Sequence, residues 1–290
     1  MKQLHDLMND VLINGQERDT RSGKVTGVFR RDFQHDMREG LPFPMTKKLM
    51  FKAMMGELLF FLNGKVTISE LRRLSGLSDD AWTIWTQDQE RWYNAVSDKP
   101  ELSDSLGVSY GEQWRNYGSY QSEFKGVDQI ANLISNMINS KTSRYLIVQA
   151  YDPIVVANNL TALPPCHTGF QVYIDVETGE FDLDWTQRSV DIFLGAPFNI
   201  ASYAVLMLIL GKLTGYTPRF LFGSLKDVHI YKNHYEAVNT QLLREVRECT
   251  ASLEMPEFNT LDDLLDMTAE DFVLHNYFPD SAIKAPLSVG

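Results

Sequence analysis

The segment Ala162-Leu163-Pro164-Pro165-Cys166-His167 holds the side chain best suited to attack an electrophile. Cys166 is one of two cysteines in 290 residues, and the two prolines before it stiffen the turn and remove two backbone donors. A thiol at the mouth of a strand-like run (170–174), beside a histidine, is a candidate nucleophile acting as its thiolate. The competing reading is an inert buried cysteine, the commoner fate of a lone intracellular thiol. Glu57 is a second candidate. It interrupts the apolar run 45–62, where a carboxylate is paired, catalytic or beside a water-filled cavity, and where desolvation raises its pKa. The polar stretch 16–27, with Arg18, Arg21 and Lys24, is a loop able to order on a phosphate, or simply a solvated turn. Asn199 opens a long apolar helix, where an amide is an N-cap or a reader of a ligand.

The elements that must position these groups are legible from periodicity. Apolar spacing predicts helices over 3–14, 45–62, 68–74, 127–138, 198–213 and 234–247. Alternation and β-branched or aromatic content predict strands at 28–33, 145–150, 170–174, 181–185, 219–222, 228–231 and 271–274. Trp82, Trp85 and Trp92 form an aromatic group suited to packing or to a flat ligand, and 97–106 reads as a polar surface insertion. With 44% hydrophobic and 22% charged residues, the chain has an ordinary globular composition, expected as one domain over 1–290. The net charge of −11 argues against general nucleic-acid binding but leaves room for a local arginine site for a small anion. Two cysteines supply neither a disulfide framework nor metal spacing, so no metal and a reducing cytoplasm are expected. The apolar run 198–213 is too short and interrupted to span a bilayer comfortably, so no membrane is expected.

Taken in order, several segments are recognisable. Leu163-Pro164-Pro165-Cys166-His167, Gln187-Arg188-Ser189-Val190-Asp191-Ile192-Phe193-Leu194-Gly195, Pro197-Phe198-Asn199-Ile200-Ala201-Ser202-Tyr203 and His229-Ile230-Tyr231-Lys232-Asn233-His234 resemble thymidylate synthases, with that family's order and spacing. Arg21-Ser22-Gly23, Thr46-Lys47-Lys48, Glu57-Leu58-Leu59, Ile84-Trp85, Tyr110-Gly111, Gln113-Trp114-Arg115 and Ile283-Lys284-Ala285-Pro286 extend the likeness over nearly the whole chain. The resemblance implies an α/β fold, a twisted mixed sheet covered by helices, and a sheet-to-sheet homodimer. It implies dUMP as substrate and 5,10-methylenetetrahydrofolate as one-carbon donor. On the matching positions, Cys166 is the nucleophile that adds to C6, and Glu57, Tyr110, His167, Asn199 and Trp85 are its catalytic companions. Arg21, Gln187, Arg188, Ser189, Asn199, His229 and Tyr231 bind the nucleotide, with Arg144 supplied across the dimer interface. Lys47, Trp85, Asp191, Leu194, Gly195 and Phe198 line the folate side. Arginines suit a phosphate dianion, and guanidiniums near Cys166 are expected to depress its pKa. An amide at 199 donates to uracil O4 and accepts from N3–H, although half a turn about its last bond would reverse that pattern.

The departures from the family cluster. Thr86, Gln87 and Asp88 follow Trp85 where an acidic residue and a second aromatic are usual. An arginine pair is reduced to Arg144-Tyr145, with Lys226 as a candidate replacement for the missing charge. The tyrosine before Gln187 is Thr186, and Gly290 extends the tail. Polar residues beside Trp85 favour water as the final acceptor, so the expected activity is a phage-type dUMP hydroxymethylase, cytoplasmic, in the host cytoplasm if phage-encoded. The alternative is a thymidylate synthase finishing by hydride transfer, which the retained Trp85 favours. A more distant alternative is an inactive nucleotide-binding regulator.

Overall fold

The computed structural model describes residues 1–96, 99–121, 123 and 125–288. Strands β1 (Gln16–Thr20), β2 (Gly23–Asp36), β3 (Ile147–Gln149), β4 (His167–Asp175), β5 (Glu180–Gln187), β6 (Val190–Asp191) and β7 (Thr217–Tyr231) form a seven-stranded mixed sheet. Its order is β1-β2-β7-β5-β4-β3, with β6 pairing β7 beyond the end of β5. β5 and β6 run parallel to β7, and the other neighbours are antiparallel. A separate ribbon pairs β8 (Ser252–Glu254) with β9 (Val273–His275). The helices are α1 (Lys2–Asn14), α2 (Phe51–Leu62), α3 (Ile68–Leu74), α4 (Thr86–Ala95), α5 (Tyr110–Asn116), α6 (Gln129–Asn139), α7 (Pro153–Ala157), α8 (Gly195–Thr214) and α9 (Tyr235–Leu242).

Local chemistry accounts for most boundaries. Asp128 caps α6 by accepting from the Ala131 N–H at 2.9 Å, and Ile130, Leu133 and Met137 form its buried stripe. β5 alternates strictly, with Phe181, Leu183, Trp185 and Gln187 facing the core. α8 is apolar on nearly every side and is correspondingly buried between α2 and β7. At 20 residues it is longer than the run read from the sequence and passes a length-and-hydropathy test for a membrane span, but most of it lies inside the core.

One face of the sheet is covered by α1 and α8. The other presents Gln171 and Tyr173 from β4, Asp182, Asp184 and Thr186 from β5, and Phe222, Ser224 and Lys226 from β7, all exposed or half-buried. Two irregularities break the ladder near Cys166. Between His167 and Gly169 the β4–β5 register shifts, leaving Thr168 as a bulge. A Cβ on Gly169 would come within 2.5 Å of the Val148 carbonyl, so only glycine fits there. The second break separates Gln187↔Leu225 from Val190↔Val228, with Asp227 at φ 45° opposite Arg188-Ser189.

Several expected elements differ. The helix expected over 45–62 begins at Phe51, because tertiary bonds hold the preceding segment extended. The Thr46 hydroxyl meets His5 at 2.9 Å and Gln241 at 3.1 Å, and its carbonyl accepts from Arg244 at 2.7 Å. The polar stretch 16–27 is a β-hairpin, with Arg21-Ser22 at its turn, since pairing satisfies the backbone of both arms. The strands expected at 219–222 and 228–231 are one strand, β7. The helix expected to reach residue 247 ends at Leu242. In the segment 97–106, Ser105 and Leu106 are buried, so its end is core rather than surface. Ser97, Asp98 and Gly290 lie outside the described residues.

Candidate active site

Cys166 lies at the end of a rigid turn tied by Tyr110 on one side and Arg188 on the other. Its N–H and that of His167 donate to the Tyr110 hydroxyl of α5 at 2.6 and 3.2 Å. Its carbonyl accepts from the Arg188 N–H at 2.9 Å. The Arg188 guanidinium folds back, donating from Nε to the Pro165 carbonyl and from Nη2 to the Pro164 carbonyl, both at 2.9 Å, over the Tyr151 ring. The two prolines thus serve as carbonyl anchors for an arginine as well as stiffeners of the turn. Burial pushes the Cys166 thiol up, Arg188 opposes that, and the carboxylate of Asp88 adds to it. The expected depression of the thiol pKa is therefore corrected: within this chain one guanidinium faces it, and desolvation is the larger effect.

The break between β5 and β6 ejects Arg188-Ser189 from the ladder while Gln187 stays in the core, 3% exposed. Trp185 Nε1–H donates to Gln187 Oε1 at 3.2 Å, and Gln187 Nε2 donates to Asn199 Oδ1 at 3.1 Å and to the Ser189 carbonyl at 3.0 Å. An indole N–H is a donor only, so it sets the orientation of Gln187, which in turn sets that of Asn199. Among the described residues Asn199 Nδ2 therefore has no partner and is left as a donor, with one Oδ1 lone pair remaining. It is not the N-cap of α8: Leu194 holds that position, and Asp191 Oδ1 takes up the Phe193 and Leu194 N–H groups at 2.9 and 3.1 Å.

A wall of aromatic rings stands around Glu57. Trp85, 5% exposed, donates Nε1–H to Glu57 Oε1 at 2.6 Å and packs edge-on to Tyr110, 6.1 Å between centroids. Burial pushes the Glu57 carboxyl up to about 7, with the Trp85 bond opposing. Glu57 has no lysine or arginine partner among the described residues. His167 is buried with Nδ1 3.4 Å from the Tyr203 hydroxyl, and burial lowers its pKa to about 4, so it is neutral at physiological pH. Asp88, 7% exposed on the first turn of α4, accepts from Arg91 at 2.6 Å, and burial raises its pKa while Arg91 and Arg21 oppose. The hydroxyl of Thr86 is taken by Thr83, and Gln87 faces solvent.

The remaining site residues gather at the ends of β6 and β7. Asp191 pairs with His229, whose Nδ1–H donates to the Asp227 carbonyl at 2.8 Å, leaving Nε2 as an acceptor. Asp227 is held in its left-handed conformation beside Arg18 of β1, to which it is hydrogen-bonded. The Tyr231 ring lies edge-on to His229 at 5.1 Å, next to the hairpin turn that carries Arg21. Lys47, 6% exposed, donates to the Phe193 carbonyl, and burial lowers its pKa to about 8 against the field of Asp191. Gly195 lies between Asp191 and Asn199, where a Cβ would stand 3.7 Å from each, so its lack of a side chain keeps that space open. Leu194 and Phe198 are partly buried beside it.

Arg144 is not brought to this pocket; it is exposed, next to Tyr145, before β3. Lys226 is also elsewhere, on the half-open face of the sheet and 3.5 Å from the Ser224 carbonyl. Three supporting residues were missed from the sequence: Tyr151 under Arg188, Trp185 behind Gln187, and Tyr203 beside His167. Tyr203 follows Asn199 by four positions and so shares its helix face, a signal that was available.

The thymidylate synthase family model matches residues 2–289. The chain is 44% identical over 292 aligned positions to a probable thymidylate synthase of Escherichia phage T5, covering 99% of this chain and all of the relative. It is 37% identical to the thymidylate synthase of Enterobacteria phage T4 over the full length of both. The crystal structure of thymidylate synthase from T4 phage superposes with a TM-score of 0.88 over all of both chains, at 36% identity. The fold and these relatives place the protein among α/β one-carbon transferases. The chain belongs to the thymidylate synthase family, enzymes of nucleotide biosynthesis whose substrates are dUMP and methylenetetrahydrofolate.

Proposed function

We propose that this enzyme is a thymidylate synthase, converting dUMP and 5,10-methylenetetrahydrofolate to dTMP and dihydrofolate. The observation that carries the substrate half is the Trp185–Gln187–Asn199 chain. It leaves a donor for uracil O4 and an acceptor for N3–H, and cytosine presents the opposite pattern. Cys166 adds through sulfur to C6, and C5 becomes the carbon nucleophile. Arg188 and Arg21 hold the phosphate with Ser189, and His229 Nε2 and Tyr231 take the deoxyribose 3′-hydroxyl. Glu57, titrating near neutrality, passes protons through water with Tyr110 and neutral His167. Lys47, Asp191, Leu194, Gly195 and Phe198 would seat the folate, and the open space at Gly195 and the uncommitted Oδ2 of Asp191 suit a flat, donor-rich ring. When bound, the folate supplies the one-carbon unit and the hydride.

The names of the relatives and the buried Trp85 support hydride as the last step. Of the three polar residues that pointed to hydroxymethylation, Thr86 is occupied by Thr83 and Gln87 faces outward. Asp88 alone faces inward, and it carries hydroxymethylation as the second reading. Product mass, together with dihydrofolate measured per product, separates the two. One dihydrofolate per dTMP is expected; 5-hydroxymethyl-dUMP without dihydrofolate would reverse the choice.

The half-open sheet face, with Tyr173 66% exposed and Ile147 42% exposed, supports a homodimer joined through this face. In that assembly Arg144 would complete the partner's phosphate site from an exposed position beside the same face. The cytoplasm is the compartment that suits a free reactive thiol.

A further inference from the structure

Tyr151 lies beneath the Arg188 guanidinium, whose central carbon stands 5.9 Å from the middle of the ring. Arg188 is exposed, and among the described residues its side chain bonds only to the Pro164 and Pro165 carbonyls. Those bonds engage the edge of the guanidinium, whereas the ring covers a face. The place of the ring is itself fixed with care. The Ala150 and Tyr151 N–H groups both donate to the Thr168 carbonyl, at 2.9 and 3.2 Å, in the bulge just after Cys166. Asp152, 4% exposed, caps α7 by accepting from the Ile154 N–H at 2.8 Å, and its other oxygen accepts from the Tyr120 hydroxyl. Burial raises the Asp152 carboxyl, but the Tyr120 hydroxyl and the Ile154 N–H outweigh it and hold the group below its ordinary range. Burial and the Asp152 charge push the Tyr117 hydroxyl up to about 12, so it stays protonated beside that carboxylate. α5 and the turn after it therefore meet the pocket twice. Tyr110 takes the Cys166 and His167 N–H groups, and Tyr120 fixes the residue next to Tyr151.

We propose that Tyr151 is a positioning residue for Arg188: its ring holds the guanidinium folded back over the Pro164-Pro165 turn, where the charge serves both the Cys166 sulfur and an incoming phosphate. The attraction between a cation and a ring face is modest at an exposed site, but it biases a side chain that water would otherwise draw away. Without the ring, two carbonyl bonds alone compete with solvent and the arginine swings out. The thiol then loses the positive charge that opposes its burial. The phosphate half of this role rests on the reading of Arg188 as a nucleotide ligand; the thiol half does not.

Two measurements divide the role. Alkylation by iodoacetamide, followed by mass on the peptide that carries Cys166, reads the thiol without nucleotide or turnover. Equilibrium dUMP binding reads the phosphate. Tyr151→Leu, which removes the ring, is expected to slow alkylation at pH 7 about threefold and to move the midpoint of its pH profile upward. Above both midpoints the rates of variant and wild type should converge, which a general loss of packing would not produce. The dUMP Kd of Tyr151→Leu should rise about threefold. Tyr151→Phe keeps the ring and should match the wild type in both assays. In an Arg188→Met background, Tyr151→Leu should change neither, because the arginine through which the ring acts is gone. An unmoved alkylation profile in Tyr151→Leu overturns the proposal. So does a further loss in the Arg188→Met background, or Tyr151→Phe behaving like Tyr151→Leu. A dUMP Kd that rises in Arg188→Met but not in Tyr151→Leu overturns it as well. Should Tyr151→Leu not fold, Tyr151→Met, flexible and without a ring, takes its place under the same expectations. A dUMP Kd unchanged in Arg188→Met would refute the nucleotide reading of Arg188, while the alkylation profile still tests the hold of the ring.

Discussion

The two walls of the Cys166 pocket are built on different principles. The sheet wall, from Gln187 to Asn199 and across to His229, consists of polar groups whose partners are assigned one by one. Indole, amide, amide and imidazole are each held in one orientation by the group behind. The helical wall, Glu57, Trp85 and Asp88 on and around α2 and α4, instead buries carboxyl groups with too few partners and thereby shifts their pKa values upward. One wall has the fixed hydrogen-bond polarity that recognition of a ring requires. The other holds a carboxyl, Glu57, that titrates near neutrality, which recognition does not require and proton transfer does.

Removing the group between the walls gives the largest effect. Cys166→Ala should lower turnover roughly 10⁴-fold or more while still binding dUMP, checked by steady-state rates and equilibrium binding. Glu57→Gln tests the helical wall and should cost about 10²–10³-fold in kcat, with loss of the limb of the pH–rate profile near 7. The same variant has a stability signature. The folded carboxyl titrates at about 7, above its ordinary 4.5, so folding favours the protonated form. The stability it contributes falls as pH rises from 4.5 to 7, reaching a penalty of about 3 kcal/mol above that range. Glu57→Gln should therefore be more stable than wild type at pH 8 and equal to it below pH 4.5, as urea melts at several pH values would show. Equal melts at pH 8 would mean that this wall does not store proton affinity.

A smaller effect is expected at Asp88. Asp88→Asn removes a negative charge that raises the Cys166 pKa, so alkylation of the thiol by iodoacetamide at pH 7 should speed up about threefold. A slower reaction would break the assignment of Asp88 to the pocket. Least of all, Lys226→Ala should leave the dUMP KM within about twofold, since the side chain lies on the other face of the sheet, beside Ser224 and Asp184. A KM raised tenfold would show that this face takes part in holding phosphate, across a dimer interface.

Much of this was readable from one-dimensional pattern. The strict alternation of β5 and the stripe of α6 need only local periodicity, because the pleat and the helical turn repeat every two and 3.6 residues. The start of α2 was misplaced because buried bonds from His5, Gln241 and Arg244 override the helical preference of 45–50. The thiol pKa was misjudged for a related reason. Arginines can be counted along a chain, but the desolvation that opposes them depends on what packs around the sulfur.

The sequence by itself supplied the candidates for reacting and recognising groups: Cys166, Glu57 and Asn199 from their types and settings, and Arg188, Asp191 and His229 through the family resemblance, with the prolines that stiffen the first of them. Their types follow from covalent chemistry and needed no coordinates. The tertiary structure decided which way each points and how strongly it holds a proton. Asn199 could have faced either way until a tryptophan on β5, able only to donate, settled the amide between them. Hydrogen-bond polarity and desolvation both depend on neighbours brought together from distant parts of the chain, and those neighbours exist only once the sheet and helices have packed.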